Sequence, residues 1–375
     1  MAKSTVLPTD PQTRKLWALK VGHDSVKESF FAKHMGPEGS SAILVKKTEM
    51  ESGSGDEITT QLICKLRGAP SYEGEKQEDR DMRLDFATHK MRISYLRGSV
   101  NFGTVMDQKR TDADLEKEAR QRIIDWLKEV YEESIVYALS GARGVGKGQL
   151  PTSYAGKPNL LSAPDDKHLF VGTDGSKTKA TLVSTDKLSL STLNKLSVKA
   201  KKMFGGVQDG EAVRMEKTKM GGKECFVMVT GAEGLQDLRE DSGTQGWFEA
   251  QKALAGAIGR DAEMFKGGAG YWAGAIVEET ETIVTFSDYG AGSNVPAMRS
   301  LYCGANAGVI AHGTRGQVDG LTVQLTEHGK DYDNEKVVAL RLIFGVDKAT
   351  WTPNNGGTKR DVGLISVDHA FTASV

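Results

Sequence analysis

Residues 110–141, RTDADLEKEARQRIIDWLKEVYEESIVYALSG, decide the fold. Leu115, Ala119, Ile123, Trp126, Leu127, Val130, Tyr131 and Ile135 recur at spacings of three and four, which places them along one stripe of a helix. Thr111 or Asp112 can cap the first turn through a side-chain oxygen, and Ser140-Gly141 supplies the stop, because glycine enters the left-handed conformation that ends helices. At about 1.5 Å per residue, roughly 28 residues span about 40 Å. That is long for a globular helix and suits a structural spine.

Upstream, EITTQLICKL (Glu57–Leu66) and LDFATHKMRISYL (Leu84–Leu96) alternate with the two-residue period of strands. The first puts Ile58, Leu62, Cys64 and Leu66 on one face. The phase of the second slips between Phe86 and Met91, which predicts a bulge or a change of face there. Together they read as a long hairpin. Its tip, SYEGEKQEDRD (residues 71–81), carries too many charges to bury itself and predicts a solvated or partner-contacting loop. Before the hairpin, residues 1–47 hold a short amphipathic piece with Leu16, Trp17 and Leu19, then Phe30 and Phe31. These anchors are too few for a separate core. With eight Lys or Arg against four Asp or Glu, the segment is locally basic and reads as an arm that packs on something else.

Downstream, residues 141–182 are glycine- and lysine-rich, with one short strand at HLFVG. A second helix is predicted from Asp186, capped by Ser184 or Thr185, with Leu190, Leu193, Leu196, Ala200 and Met203 on its stripe. Strands follow at ECFVMVT, AGAIVEE, TIVTF, RSLYCG, LTVQL, VVALRLIFG and GLISVD, with a helical stretch around Leu235, Leu238, Trp247, Phe248 and Leu254. The whole is an α+β chain with helices set against mixed or antiparallel sheets.

Composition narrows the function. The 375 residues carry 49 Lys plus Arg against 50 Asp plus Glu, so no global positive field exists to hold a phosphate backbone, and sequence-specific DNA binding is disfavoured. MAKSTVLPTDPQ has no basic region followed by an apolar run, and no stretch of about 18 apolar residues occurs, so neither secretion nor membrane insertion is expected. Cys64, Cys225 and Cys303 lie far apart in apolar contexts and read as small core residues. The 43 glycines fall in short clusters that mark turns between strands.

Candidate chemistry fails on its own requirements. GARGVGKGQ from Gly141 matches a phosphate-binding loop through Gly146 and Lys147, but Gly148 stands where a Mg²⁺-holding hydroxyl belongs, and the loop follows a helix and precedes none. KGGAGYWAG from Lys266 has Gly268, Gly270 and Gly274 with the last interval one residue too long for a dinucleotide loop, and reads as a turn. The seven histidines form no ligand pair, no G-x-S-x-G elbow exists, and carboxylates lie mostly in solvated runs rather than in apolar surroundings. Aromatics such as Trp126, Tyr131, Trp247, Phe248, Tyr271 and Trp272 are expected to pack in cores. No enzyme, cofactor or metal is predicted.

The order and wording of several blocks resemble the major capsid proteins of tailed bacteriophages of the N-four type: TVLPTDPQTRKLWALKV through ESFFAKHMG, ILVKKTEMESGSGDEITTQLICKLRGAP, the helix quoted first, FVMVTGAEGLQDLREDSGTQGWFEAQKALAG with MFKGGAGYWAGAIVEE, then SLYCGANAGVIAHG, LIFGVDKATW and DVGLISVD. The resemblance covers nearly the whole chain in order and is weakest over residues 144–220. It implies the shell fold of the Hong Kong 97 phage type, divided as an N-terminal arm (1–47), an extended hairpin (48–104), a peripheral domain on the spine helix (105–145), a mainly axial domain (146–335) and C-terminal strands returning to the peripheral domain (336–375). It further implies self-assembly into hexamers and pentamers of an icosahedral shell around double-stranded DNA, in a bacterial cytoplasm. Scaffold, portal and decoration proteins are candidate partners, with at most non-specific contact to packaged DNA and none to a membrane. Trp17, Phe30 and Phe31 are then expected to anchor the arm on a neighbour, and Glu73, Glu75, Lys76, Asp79 and Arg80 to set the hairpin's register. The Lys to Asn cross-link of some relatives is not carried over, because no pair here marks it. The rival readings are another virion component, such as a tail tube protein, and a P-loop-like nucleotide-binding protein centred on Lys147.

Overall fold

The computed structural model describes residues 29–48, 55–63, 70–76, 78, 81, 86–112, 114–142, 150–151, 153, 157–205, 215–220, 222–241, 270–314, 323–332, 334–351 and 359–373. A 3-10 turn at Phe30–His34 leads into strands β1 (Met35–Pro37) and β2 (Leu44–Lys47). The hairpin strands are β3 (Glu57–Ile63) and β4 (Phe86–Arg92), followed by β5 (Ser94–Thr104), a short helix α1 (Val105–Arg110) and the spine α2 (Leu115–Ser140). Next come β6 (Leu169–Val171), α3 (Leu190–Gly205), β7 (Thr218–Met220), β8 (Lys223–Thr230) and α4 (Ala232–Glu240). The remainder is strand: β9 (Tyr271–Trp272), β10 (Ala275–Glu279), β11 (Val284–Tyr289), β12 (Val295–Cys303), β13 (Gly308–His312), β14 (Val323–Lys330), β15 (Glu335–Lys348), β16 (Thr350–Trp351), β17 (Arg360–Asp361) and β18 (Leu364–Ala370).

The spine forms where its periodicity puts it. Its cap is Asp114, whose carboxylate accepts from the Lys117 N–H at 3.2 Å, and not Thr111 or Asp112, because Thr111 closes α1 and donates its hydroxyl to the Asp107 carbonyl. Gly141 ends it at φ 65°, where a side chain would also strike the Ser162 carbonyl. The second helix begins at Leu190, after Asp186: the Ser189 hydroxyl accepts from the Thr192 N–H, while Asp186 is held by Lys177 and the Val183 N–H in the turn before it.

Two sheets sandwich the spine. The larger runs β6-β18-β12-β8-β10-β9, with β11 on β12 and β7 on β8. Its central strands are buried on both faces, so β8 reads as a near-continuous apolar run, while β12 and β18 are apolar runs interrupted by Arg299, Ser300, Ser366, Asp368 and His369. Along β8, Val227 and Val229 join the spine's Ile135, Val136 and Leu139, while Phe226 and Met228 join Leu193, Leu196 and Ala200 of α3. Cys303 belongs to the first cluster and Tyr302 to the second, as the two-residue period requires. The smaller sheet runs β1-β2-β13-β15-β14 with β5 on β15, and its Ile310, Leu340, Leu342 and Phe344 share the spine's core.

Two expectations are corrected here. Residues 29–47 are not an arm: β2 pairs parallel with β13, and Ile43 and Leu44 are core residues. The C-terminal segment divides between the sheets, β15 in the smaller and β18 in the larger, and residues of both pack in the spine's core. The strand predicted over Leu84–Leu96 has no slip over Phe86–Arg92, where it pairs continuously with β3; it breaks at Ile93 and continues as β5, which pairs with β15.

Candidate assembly interface

Capsid-like function would place the working residues at surfaces, so each predicted contact is located first. Trp17 lies outside the described residues. Phe30 is half-buried: its N–H donates to Glu132 on the spine at 2.7 Å, and its ring meets Phe31 edge-on at 5.0 Å. Phe31 is only 1% exposed and packs in the main core, so it offers no face to a neighbour. This corrects its assignment as an inter-subunit anchor. The same turn is clipped to β10, where Glu278 accepts from Lys33 at 2.9 Å and His34 at 2.7 Å. Burial would raise the Glu278 carboxyl, but the His34 and Lys33 bonds and charges outweigh it and hold it below its ordinary value.

The hairpin leaves the body at a fastened base. Ile58 faces Met91 across the strands, and both pack with Val309, Ala311, Ala349 and Val362. The Asn159 side chain accepts from the Arg92 N–H at 2.7 Å and donates to the Arg92 and Val346 carbonyls. Beyond that base β3 and β4 pair only with each other among the described strands. At the tip Glu73, Glu75 and Lys76 are exposed, beside Tyr72 in a turn closed by the Glu75 N–H on the Tyr72 carbonyl. Asp79 and Arg80 lie outside the described residues. So do Cys64, Trp247, Phe248, Gly268 and the Gly146-Lys147 loop.

Chemistry-bearing groups elsewhere are buried in pairs, which sequence reasoning missed when it placed carboxylates in solvated runs. Arg299 of β12 meets Asp368 of β18 through two bonds, 2.6 and 2.7 Å. Lys348 contacts Asp361 at 2.8 Å, and Asp165 beside it bonds His168. Burial would raise Asp165, but the His168 bond and charge with the Asp361 and His168 N–H groups leave it well below the carboxylate range. The signal was present: Arg299 and Asp368 are lone charges inside apolar strands. Ser300 and His369 bond at 2.8 Å on the same central strands, but both are fully buried and no substrate reaches them. Cys225 and Cys303 are buried thiols. No group of three metal-ligating side chains occurs among the described residues, and no described helix is long and apolar enough to cross a membrane.

One pair makes a pH prediction. Nε2 of His89 lies 3.6 Å from Asp347. Burial, aided by the Lys359 charge, lowers His89 to about 4, whereas burial raises Asp347 to about 6 against the pull of the Lys348 N–H and neighbouring lysines. At neutral pH the histidine is therefore uncharged and the contact is not an ion pair. The two groups act oppositely on stability. His89 binds fewer protons folded than unfolded, so its contribution is lost as pH falls from about 6.5 to 4; Asp347 binds more, so its cost is relieved on acidification from about 6. Asp347→Asn removes only the second effect. Its unfolding free energy relative to wild type should fall by about 2–3 kcal/mol between pH 7 and pH 4, measured by urea denaturation of the unassembled chain. Parallel pH curves for the two proteins would contradict the assignment.

Comparison with known proteins fits surfaces rather than a reaction centre. A family profile described as "Phage capsid protein" matches residues 5–373. The solved capsid of Ralstonia phage GP4 is 35% identical over 100% of both chains, with a TM-score of 0.80. The cyanophage Pam1 capsid is 20% identical over 100% of both chains at 0.70, and the capsid of Helicobacter pylori bacteriophage KHP30 is 13% identical over 92% of each chain at 0.64; these two show the shared fold. No curated protein matches the chain.

Proposed function

The chain belongs to the phage capsid protein family; it is a structural protein of the capsid shell, and we propose that its spine and sheets form the rigid unit while segments reaching off that unit join the copies. The observation that carries this division is the β3–β4 hairpin: anchored at Ile58, Met91 and Asn159, paired only with itself among the described strands, and ending in an exposed charged turn. A ribbon built this way has backbone edges and charges to give to a second copy.

On this reading Trp17 and the half-exposed Phe30 ring make apolar contacts, and Glu73, Glu75, Lys76, Asp79 and Arg80 fix register with a neighbour. Hexamers and pentamers follow because a closed ring multiplies weak contacts into a stable shell. Scaffold, portal and decoration proteins would be further partners, with assembly in the host cytoplasm. The near-neutral charge suits at most non-specific contact with packaged DNA. The role is structural, and no enzymatic step is assigned.

The test is negative-stain electron microscopy with light scattering on the purified chain, alone and co-expressed with its neighbouring virion proteins. Closed shells or capsomer rings are expected. A persistent small monomer in both preparations would overturn the reading, and cylinders would point to a tail tube.

A further inference from the structure

At the base of the hairpin, we propose that Lys348 and Asp361 condense into an amide within the folded subunit, making this pair a self-formed covalent modification site. Lys348 ends β15 and Asp361 ends β17, and Nζ of the first lies 2.8 Å from Oδ2 of the second. Both side chains are out of water, 0% and 5% exposed. The amine is also aimed by the Ala163 carbonyl at 3.4 Å. Asp361 is held from another segment by Asp165: the Asp361 N–H donates to the Asp165 carboxylate at 2.8 Å, and the Asp165 N–H donates to Oδ2 of Asp361 at 3.4 Å. His168 fixes the Asp165 carboxylate in turn, at 2.8 Å.

Two charges taken out of water are stabilised there mainly by each other, and a neutral amide relieves the desolvation of both. Burial pulls the Lys348 ammonium below its ordinary value against the attraction of Asp361. Burial, with the Asp165 charge added, lifts the Asp361 carboxyl against the pull of Lys348. Both displacements favour the neutral amine and the neutral acid, which are the reacting forms. The proton crosses the short contact from Nζ to Oδ2. The amine lone pair then attacks Cγ, the C–N bond forms, and Oδ2 leaves as water with that proton and one more from the nitrogen. Charge is balanced throughout and no oxidant or co-reactant is needed.

Free amines and acids do not condense in water, but groups held in contact by a folded chain act at effective molarities on the order of 10⁵–10⁸ M. The bond closes a loop from residue 348 to residue 361. It staples β15 of the smaller sheet to the strand that leads into β18 of the larger one. The neighbours Ala349 and Val362 pack against Ile58 and Met91, so the staple sits under the anchored end of the hairpin.

Intact mass spectrometry and tryptic mapping of the full chain, folded and then denatured, decide the matter. The expected mass is one water below that of the sequence, with trypsin failing to cut after Lys348 and a branched peptide joining residues 348 and 361. Asp361→Asn should lose one ammonia instead and yield the same branched peptide, since the product is identical. Lys348→Arg keeps the cation but offers no amine, and should run at its full mass. The wild-type map carries the decision even where a variant fails to fold. Wild type at full mass, or one water light while trypsin still cuts after Lys348, overturns the proposal; neither result touches the assembly reading, which electron microscopy tests.

Discussion

Replacing Asp368 by alanine is expected to destabilise the unassembled subunit by about 3–5 kcal/mol, because it strands a buried cation. Arg299 and Asp368 stand opposite each other on adjacent central strands, with side chains 9% and 1% exposed. The carboxylate accepts from Arg299 Nε and Nη2 and from the Tyr289 hydroxyl at 2.7 Å. The third arm of the guanidinium donates to the Ser140 carbonyl at 3.0 Å, one of the helix-end carbonyls that lack an intrahelical partner. Its plane also lies over the Phe286 ring. One ion pair thus fastens the C-terminal end of the spine to the larger sheet. Alanine at 368 removes the counter-charge and takes away the acceptor of the Tyr289 hydroxyl. The double substitution Arg299→Met with Asp368→Leu should recover part of the loss, since no unpaired charge remains. Urea denaturation of the four proteins reads the coupling directly. A loss under about 1 kcal/mol for Asp368→Ala would mean that water reaches the arginine and that the junction is not dry.

Such a pair marks the limit of what the sequence shows. The spine was legible because eight apolar positions repeat at helical spacing within one continuous stretch, and its left-handed stop is a glycine. The central strands were legible because burial on both faces makes FVMV an unbroken apolar run and LISV one broken only by Ser366. Partners contributed from far along the chain were not. Arg299 finds Asp368 across 69 residues, and only its lone charge in an apolar run hinted at a mate.

The hairpin shows the same division. Alternation named both strands, but β4 and β5 share one alternating run, and what separates them is a change of partner from β3 to β15, pinned by Asn159 from another segment. Likewise ILVK at residues 43–46 is too short to distinguish a loose anchor from a strand until β13 supplies its partner. Ser184 and Thr185 looked like caps of a helix from Asp186 because a hydroxyl before a leucine stripe caps many helices; the helix starts at Leu190 under Ser189 instead, and Lys177, nine residues back, takes Asp186. At the proposed interface, the charged tip was legible from composition.

The second large effect separates residues 1–28 from residues 29–47. Removing residues 1–47 should abolish folding, whereas removing residues 1–28 should leave a folded subunit that fails to close shells. The first cut takes Phe31, Ile43 and Leu44 out of the core that holds the spine, and each large-to-small loss of this kind costs about 2–5 kcal/mol. It also deletes β2, stripping the parallel partner from β13, and removes the Lys33 and His34 clip on Glu278. The three side chains alone cost about 6–15 kcal/mol, as much as the roughly 5–15 kcal/mol by which a domain is usually stable, before the lost strand and clip are added. The cut after residue 28 spares all of them and takes Trp17 with the basic residues around it. Circular dichroism with thermal melts reads folding, and electron microscopy reads closure. Should the chain from residue 48 melt like the full protein, the placement of Phe31, Ile43 and Leu44 in the core would be wrong. Should the chain from residue 29 close normal shells, Trp17 would have no part in assembly, and the proposed joints between copies would rest on the hairpin tip and Phe30.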